Sequence, residues 1–496
     1  MGARRRQRRR RALARGVRGG RRRDPAAGRA EDRRAQRRPF RVTTLVSFLV
    51  VIGILILIHE LGHFIVARLT GVGVERFSIG FGPVLVRWRG KETEYCLSAV
   101  PMGGYVKMMG EENPLEGGGG AVPFDPAKSF ALKPLPVRFL IVFAGPGMNF
   151  VLAALIFGVV LATIGRPVWP PVVGRVTDGS PAAAAGLLTD DVVTRVDGRP
   201  IGYWEDLDRA VAGSDGRTLV LTVRRGGAER TFSVTPRRTT VRDPIFRDPK
   251  DAWELGVGPK LTPQIGAVNP GSPAETAGLR VGDWVLAVAG QAVFTPDELM
   301  QAIQKRGGQT FDIVAERDGK PETLTVTATA VREKGPSGQE VEVGRIGVGI
   351  VTRVVRYEPY HPLVAAAYGW VRTWDMTLLT AKGLWKIVSR QIDSSNIGGP
   401  IQIAAEAGRQ AKEGVASLAV FTAIISVNLA LLNLLPVPML DGGHLFFFVI
   451  EAVMGRPLSL KKREAAQQLG FVLLMLLMVY ALYNDLVRID AFRMFK

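Results

Sequence analysis

Apolar residues in this chain fall into four long runs separated by stretches that alternate, and the two patterns predict different architectures. Residues 42–69, 137–165, 415–454 and 464–488 are each long and apolar enough to cross a bilayer, which takes about twenty residues. The first run opens with TTLVSFLVVIGILILI, sixteen residues without a charge. The third is too long for one straight helix and is interrupted by Pro436 and Pro438, which break helices. In the second, Gly145, Gly147 and Asn149 are the small or polar residues expected where membrane helices pack closely. Within 70–136, the pieces VERFSIGFG, VLVRWRG and TEYCLSAVPMGGYVKM predict a β-hairpin or small sheet with Gly-rich turns. Residues 360–412 mix Trp370, Trp374 and Trp385 with scattered charge, the pattern of an amphipathic segment at the membrane surface rather than a fifth span.

The central region contains an internal repeat. VVGRVTDGSPAAAAGLLTDDVVTRVDGRPIGYWEDLDRAV is followed by QIGAVNPGSPAETAGLRVGDWVLAVAGQAVFTPDELMQAI. Each copy predicts a strand, a Gly-Ser-Pro-Ala turn, a short helix ending at Gly-Leu, a strand, a second helix and further strands. The two copies resemble tandem PDZ domains of the bacterial type, over 170–237 and 262–331. Such domains add a peptide to a sheet edge, so peptide C-termini are the expected ligands; the plainer alternative is a spacer that limits access. The fold class expected is a multi-pass α-helical membrane protein with four transmembrane helices, two periplasmic PDZ domains (α+β, partly open β-barrel) and a small membrane-associated β-hairpin or sheet.

Composition narrows this further. With 496 residues, 47% of them hydrophobic, and a mean hydropathy of +0.14, the chain is too apolar for an ordinary soluble enzyme. The net charge of +20 is concentrated in an Arg-rich tail, 1–41. The tail contributes about +15 and leaves about +5 for the rest, so no nucleic-acid partner is expected. The tail is too poor in apolar residues to fold. It reads as an appendage outside the fold or a mis-set translation start. The first run lacks a cleavage site and is expected to be retained as a span. The loops after the first and third spans are rich in Lys and Arg, which places them in the cytoplasm and the repeat outside it. Cys96 is the single cysteine and excludes both a disulfide framework and a cysteine-rich zinc site.

The chemistry sits in the apolar runs. His59-Glu60-Leu61-Gly62-His63 is an HExxH sequence, and residues four apart share one helix face, so both imidazoles can reach one metal ion. Glu60 is placed to act as general base toward a water. HExxH also occurs by chance on surface helices, but these flanks leave no solvated face, and ionisable groups inside a membrane are costly and kept for function. A catalytic zinc site takes three protein ligands. The best third candidate is Asp441, in the broken third span, where a metal would offset the burial of a carboxylate. His444 is either a hydrogen-bond partner behind the site or a packing residue. His361 reads as an interface residue and Cys96 as a buried apolar one.

HELGH, GGYVKM, AGPGMNF, the paired repeat, SNIGGPIQIA and NLLPVPMLDGGHL, in this order, resemble the site-2 protease family of intramembrane metalloproteases from about Val42 to the C-terminus. The resemblance implies that His59, His63 and Asp441 bind Zn2+, that Glu60 is the catalytic base and that Asn433 helps hold or polarise the substrate. Pro436, Pro438, Gly103, Gly104 and Tyr105 are the remaining substrate-binding candidates. The implied partners are the lipid bilayer and single-span transmembrane substrates, such as trimmed anti-sigma factors or remnant signal peptides. The implied location is a bacterial inner membrane. The Arg-rich tail departs from the family pattern. Two other readings remain: a membrane zinc peptidase with a Glu third ligand, and a non-enzymatic membrane PDZ scaffold, which leaves HExxH and Leu-Asp-Gly unexplained.

Overall fold

The computed structural model describes residues 42–110, 125–243, 245–246, 248–334, 340–352, 356–392 and 398–488. The Arg-rich tail and residues 395–397 of the SNIGGPIQIA segment lie outside them. The chain divides into a helical unit, 1–163 with 360–496, and a β-rich unit, 164–359.

The helical unit begins with α1 (Val42–Leu69), whose buried residues Thr44, Ser47, Val51, Leu55, His59, Gly62, His63 and Ala67 recur every three or four positions. That spacing is one helix face, and it carries both histidines. Strands β1 (Val74–Arg89) and β2 (Glu94–Met108) follow. They curl into a small sheet: Val74–Ile79 pairs with Gly104–Met108 and also with Glu94–Leu97, while Val84–Arg89 pairs back on Glu94–Ser98. Among the described residues, Gly104–Met108 takes Val74–Ile79 as its strand partner. Helix α2 (Leu135–Thr163) carries Pro146 inside it and ends the first half of this unit.

The β-rich unit starts with β3 (Arg166–Val168) and contains two lobes of one pattern. The first lobe runs through β4 (Val173–Val176), α3 (Pro181–Ala185), β5 (Val192–Val196), β6 (Arg199–Pro200), α4 (Trp204–Ala212), β7 (Leu219–Arg225) and β8 (Ala228–Val234). A hairpin of β9 (Arg237–Arg242) and β10 (Pro249–Glu254) and the strand β11 (Val257–Pro259) complete it. The second lobe repeats the order with β12 (Pro263–Val268), α5 (Pro273–Thr276), β13 (Trp284–Val288), β14 (Gln291–Ala292), α6 (Pro296–Gln304), β15 (Thr310–Arg317) and β16 (Lys320–Thr327). It closes with the hairpin β17 (Thr329–Lys334) and β18 (Glu340–Arg345) and the strand β19 (Val348–Thr352). Strand β20 (Arg356–Glu358) then pairs with β3, so the unit's two ends lie side by side.

The repeated turn has a local cause. Ser180 and Ser272 accept hydrogen bonds from Ala183 N and Glu275 N, and Pro181 and Pro273 follow them, where a missing N–H costs nothing. Each lobe has its own core, around Leu207, Leu219 and Leu221 in the first and Leu299, Val285 and Ile313 in the second. Each is closed by a strand that the repeat boundaries 170–237 and 262–331 leave out: β11 pairs with β4, and β19 with β12. The lobes meet where Arg175 grips Glu298 at 2.7 Å and lies over the Phe294 ring.

The chain returns to the helical unit at Tyr360, whose N–H donates to Leu161 O. The segment expected at the membrane surface is two helices, α7 (Pro362–Val388) and α8 (Pro400–Glu413). Helix α7 lies antiparallel along α2, because Gly158 and Gly369 remove the side chains that would hold the backbones apart; a Cβ on Gly369 would overlap Ala154 O. Helix α9 (Val415–Asn433), a loop through Pro436 and Pro438, and α10 (Asp441–Met454) make the broken third span. Helix α11 (Leu460–Arg488) is the last; its buried Asp485 accepts from Gly399 N and Ile401 N, both at 2.9 Å, and so caps α8. Among the described residues, α1, α2, α9 and α11 are long and apolar enough to cross a membrane.

Each lobe buries one equivalent ion pair, Asp191 with Arg225 and Asp283 with Arg317, both at 2.6 Å. Burial pushes each carboxyl upward, but the arginine and a backbone N–H outweigh it, and both lie below their usual range. A depressed folded value stabilises the lobe above the unfolded value of about 3.9 and is lost as pH falls below it. Proteolysis of the β-rich unit in the full chain should therefore accelerate below about pH 4. Asp283→Ala should make the second lobe easier to cleave at neutral pH, because Arg280 N and the Arg317 guanidinium both lose their acceptor. Unchanged cleavage of that variant would show that the pair contributes nothing.

Candidate metal centre

Helices α1 and α2 run antiparallel at van der Waals distance, and glycines set the approach. A Cβ on Gly62 would overlap Ala144 O, and one on Gly145 would overlap the His63 ring. This explains the Gly-Pro-Gly of α2: the glycine beside Pro146 makes room for an imidazole, not only for a backbone. His63 Nδ1 then donates to Ile141 O at 2.9 Å. A carbonyl can only accept, so Nδ1 carries the ring proton and Nε2 presents its lone pair.

That lone pair points at two other acceptors. His63 Nε2 is 3.3 Å from His59 Nε2 and 3.6 Å from Asp441 Oδ1, and His59 Nε2 is 3.1 Å from Asp441 Oδ2. Among the described residues, His59, His63 and Asp441 are the set whose ligand atoms converge within 4.8 Å. No Glu belongs to it, which disfavours the reading with a Glu third ligand. Both histidines are buried. The set fits zinc on its dimensions: ligands about 2.0–2.1 Å from a tetrahedral metal stand about 3.3 Å apart. Three protein ligands leave the fourth position open, the catalytic rather than the structural pattern.

Asp441 arrives from the break in the third span. It is the first residue of α10, and the loop before it is held by close backbone packing. Gly442 lies against Leu434 and Leu435, Gly443 against Val437 and Pro438, and Gly470 of α11 against Pro438 O. Met439 sits at φ +89°, a strained value for a residue with a side chain. Carboxylates are favoured at a helix N-terminus. The Leu-Asp-Gly-Gly sequence thus combines a candidate metal ligand with the small residues that let its loop fold back.

Glu60 is covered by the edge of the small sheet. A Cβ on Gly104 would lie 3.0 Å from Glu60 Cγ and 2.9 Å from Ser78 O, so only glycine fits between strand and acid. Gly103 is at φ +111° with the Phe81 ring beside it. Tyr105 stacks on Phe81, ring centroids 6.2 Å apart, and accepts from Arg76 at 3.2 Å. Asn433 ends α9, and Pro436 and Pro438 lie in the loop that delivers Asp441. His444 lies outside the ligand triangle, His361 precedes α7, and Cys96 is buried on β2.

Sequence reasoning treated Asn149 as a packing residue, yet its Nδ2 lies 3.2 Å from His59 Nδ1. Its backbone carbonyl accepts from Ser426 of α9 at 2.8 Å. A polar residue three positions after Pro146 in an apolar helix was the available signal, since such a residue needs a partner in a membrane.

The sequence matches peptidase family M50 over residues 47–477. It is 36% identical over 464 residues to the regulator of sigma-E protease RseP of Escherichia coli, covering 90% of this chain and 98% of that one. It is 37% identical over 462 residues to a protein of Ralstonia nicotianae named as a zinc metalloprotease, again with 90% and 98% covered. Protease RseP of Yersinia pestis is 35% identical over 454 residues, with 90% and 99% covered. Among solved structures, the PDZ domain of an SdrC-like protein from Listeria monocytogenes is similar over 18% of this chain and 88% of that one, at 23% identity and a TM-score of 0.15, too low to carry an argument.

Two glycine substitutions separate the roles of these contacts. Gly145→Ala displaces the His63 ring and should lower zinc content along with activity. Gly104→Val crowds Glu60 and the sheet edge and should leave zinc in place while activity falls at least tenfold. Metal analysis beside a cleavage assay checks both; zinc retained in Gly145→Ala would refute the packing argument.

Proposed function

The chain belongs to peptidase family M50, the site-2 proteases, and on that premise we propose how its residues divide the work of an intramembrane zinc protease. The observation that carries the reading is the buried convergence of His59, His63 and Asp441 beside Glu60, inside helices apolar enough to span a membrane. His59, His63 and Asp441 hold the metal. When bound, zinc polarises the scissile carbonyl and makes a water easier to deprotonate. Glu60 takes the proton of the attacking water on a carboxylate oxygen and delivers it to the departing amine nitrogen.

The substrate is a transmembrane segment of a single-span protein. A helix hides its carbonyls in hydrogen bonds to the next turn, so the segment must unwind before it can be cut. The unwound strand adds to the small sheet beside Gly103, Gly104 and Tyr105, next to Glu60. Asn433, Pro436 and Pro438 form the opposite side, with Asn433 holding or polarising the scissile region. Anti-sigma factors trimmed outside the membrane and remnant signal peptides are the substrates we favour; relatives of this chain are named as regulators of sigma-E.

The two lobes are tandem PDZ domains that select substrates from the periplasmic side of the inner membrane. The basic loop after α1 supports a cytoplasmic small sheet. The β-rich unit follows α2 directly in the chain, after Thr163. Its role in this reading is to admit or exclude substrates, by bulk or by capture of a peptide end.

Glu60→Gln should keep zinc and lose cleavage by a factor of about 10²–10⁴, whereas Asp441→Ala should lose both. Co-expression with a tagged single-span substrate and metal analysis of the purified proteins test this. Full cleavage by Glu60→Gln would end the proposed division of roles. Because β3 and β20 pair, 166–358 can be replaced by a short linker. That deletion should keep zinc and cut substrates that still carry an external domain. Loss of cleavage of a trimmed substrate would instead make the lobes part of substrate binding.

A further inference from the structure

Asn149 is fully buried in the helical unit, and its Oδ1 is buried there with no hydrogen-bond partner. Its Nδ2 meanwhile lies 3.2 Å from His59 Nδ1. These two facts do not fit the chemistry of the ring. His59 Nε2 faces His63 Nε2 at 3.3 Å and Asp441 Oδ2 at 3.1 Å, so Nε2 is the atom turned to the ligand set. An imidazole that offers Nε2 to a metal carries its proton on Nδ1. An amide N–H beside that proton sets donor against donor. The oxygen and nitrogen of an amide exchange places by a half-turn, and their assignment follows from the partners around them. Turned so, Oδ1 meets the Nδ1 proton and the buried oxygen gains its partner.

We propose that Asn149 is a positioning residue for the metal centre: its amide oxygen accepts the Nδ1 proton of His59 and holds the ring in the tautomer and orientation that present Nε2. This rests on the reading of His59, His63 and Asp441 as zinc ligands. Each histidine then has one oxygen of α2 behind it, Ile141 O for His63 and Asn149 Oδ1 for His59. Such outer contacts fix ring orientation and make the imidazole a better ligand.

The position of Asn149 is itself held from a third helix. Ser426 donates to Asn149 O at 2.8 Å, and both residues are completely buried. Ser426 lies on α9, the helix that leads through the broken loop to Asp441. Asn149 is thus in contact with the helix of the two histidines and with the helix that precedes the carboxylate.

The test compares zinc affinity in the full-length protein in detergent, by competition with a chromogenic chelator. Asn149→Leu keeps the branched shape of the side chain and removes the acceptor; it should bind zinc about 10–100-fold more weakly. Asn149→Asp keeps an acceptor at the same place and should bind zinc at least as tightly as the parent. Asp441→Ala serves as the control for the ligand set and should lose the metal. Parent-like affinity in Asn149→Leu overturns the proposal, and so does an Asn149→Asp protein as weak as the leucine variant, which would reduce Asn149 to a packing role. Zinc retained by Asp441→Ala overturns the ligand set, and the proposal with it.

Discussion

Two imidazoles and a carboxylate, pressed together inside apolar helices with their lone pairs facing, are the arrangement on which the helical unit depends. Three acceptors within 3.6 Å of one another repel unless a cation lies between them. Everything around them serves to hold that geometry. Gly62 and Gly145 bring α1 and α2 into contact, Ile141 O fixes one ring, and the glycines after Asp441 fold the broken span back onto its own loop. Side chains at these glycines would separate the helices and with them the two imidazoles and the carboxylate. The close packing is therefore a requirement of the chemistry as much as of the fold.

Helix α2 is the hub of this unit. Among the described residues it touches α1 at the histidines, α7 along Gly158 and Gly369, α9 at Ser426, and α10 where Arg138 pairs with Glu451 at 2.5 Å. In an apolar surrounding there is little hydrophobic force between helices, so small residues and buried hydrogen bonds carry the association. That explains why α2 spends glycines and an asparagine on a segment that must also cross a membrane. The β-rich unit follows other rules. Its strands alternate buried and exposed positions, and its turns are set by Ser-Pro caps and glycines. Duplication preserved these devices together: the capping serine, the Asp–Arg pair, and a glycine packed on that serine, Gly256 on Ser180 and Gly347 on Ser272.

Much of this was legible in the residues. Long uncharged runs can only be helices in a bilayer, because no other single segment satisfies its own backbone there. The HExxH spacing puts both imidazoles on one helix face whatever surrounds them, and the repeat announces two similar lobes. The closing strands β11 and β19 were missed because they lie beyond the end of each repeat as a sequence pattern. Each is short and follows a hairpin, and its Gly-Val-Gly reads as a turn until the strand partner is seen. The scattered charge and tryptophans of α7 mark an amphipathic helix without naming the helix it packs on. Only Gly369 against Ala154 shows which neighbour it has.

Local pattern thus determined the spans, the two-histidine face and the duplicated lobes, since each depends on residues near one another in the chain. Contacts between residues far apart decided the rest. Asp441 meets the histidines across some 380 positions of sequence, Gly104 covers Glu60 from a separate sheet, and Asn149 reaches His59 from another helix. Spacing along a chain sets which groups share a face. Which faces meet is a property of packing, and a one-residue rotation of either helix would separate the same groups.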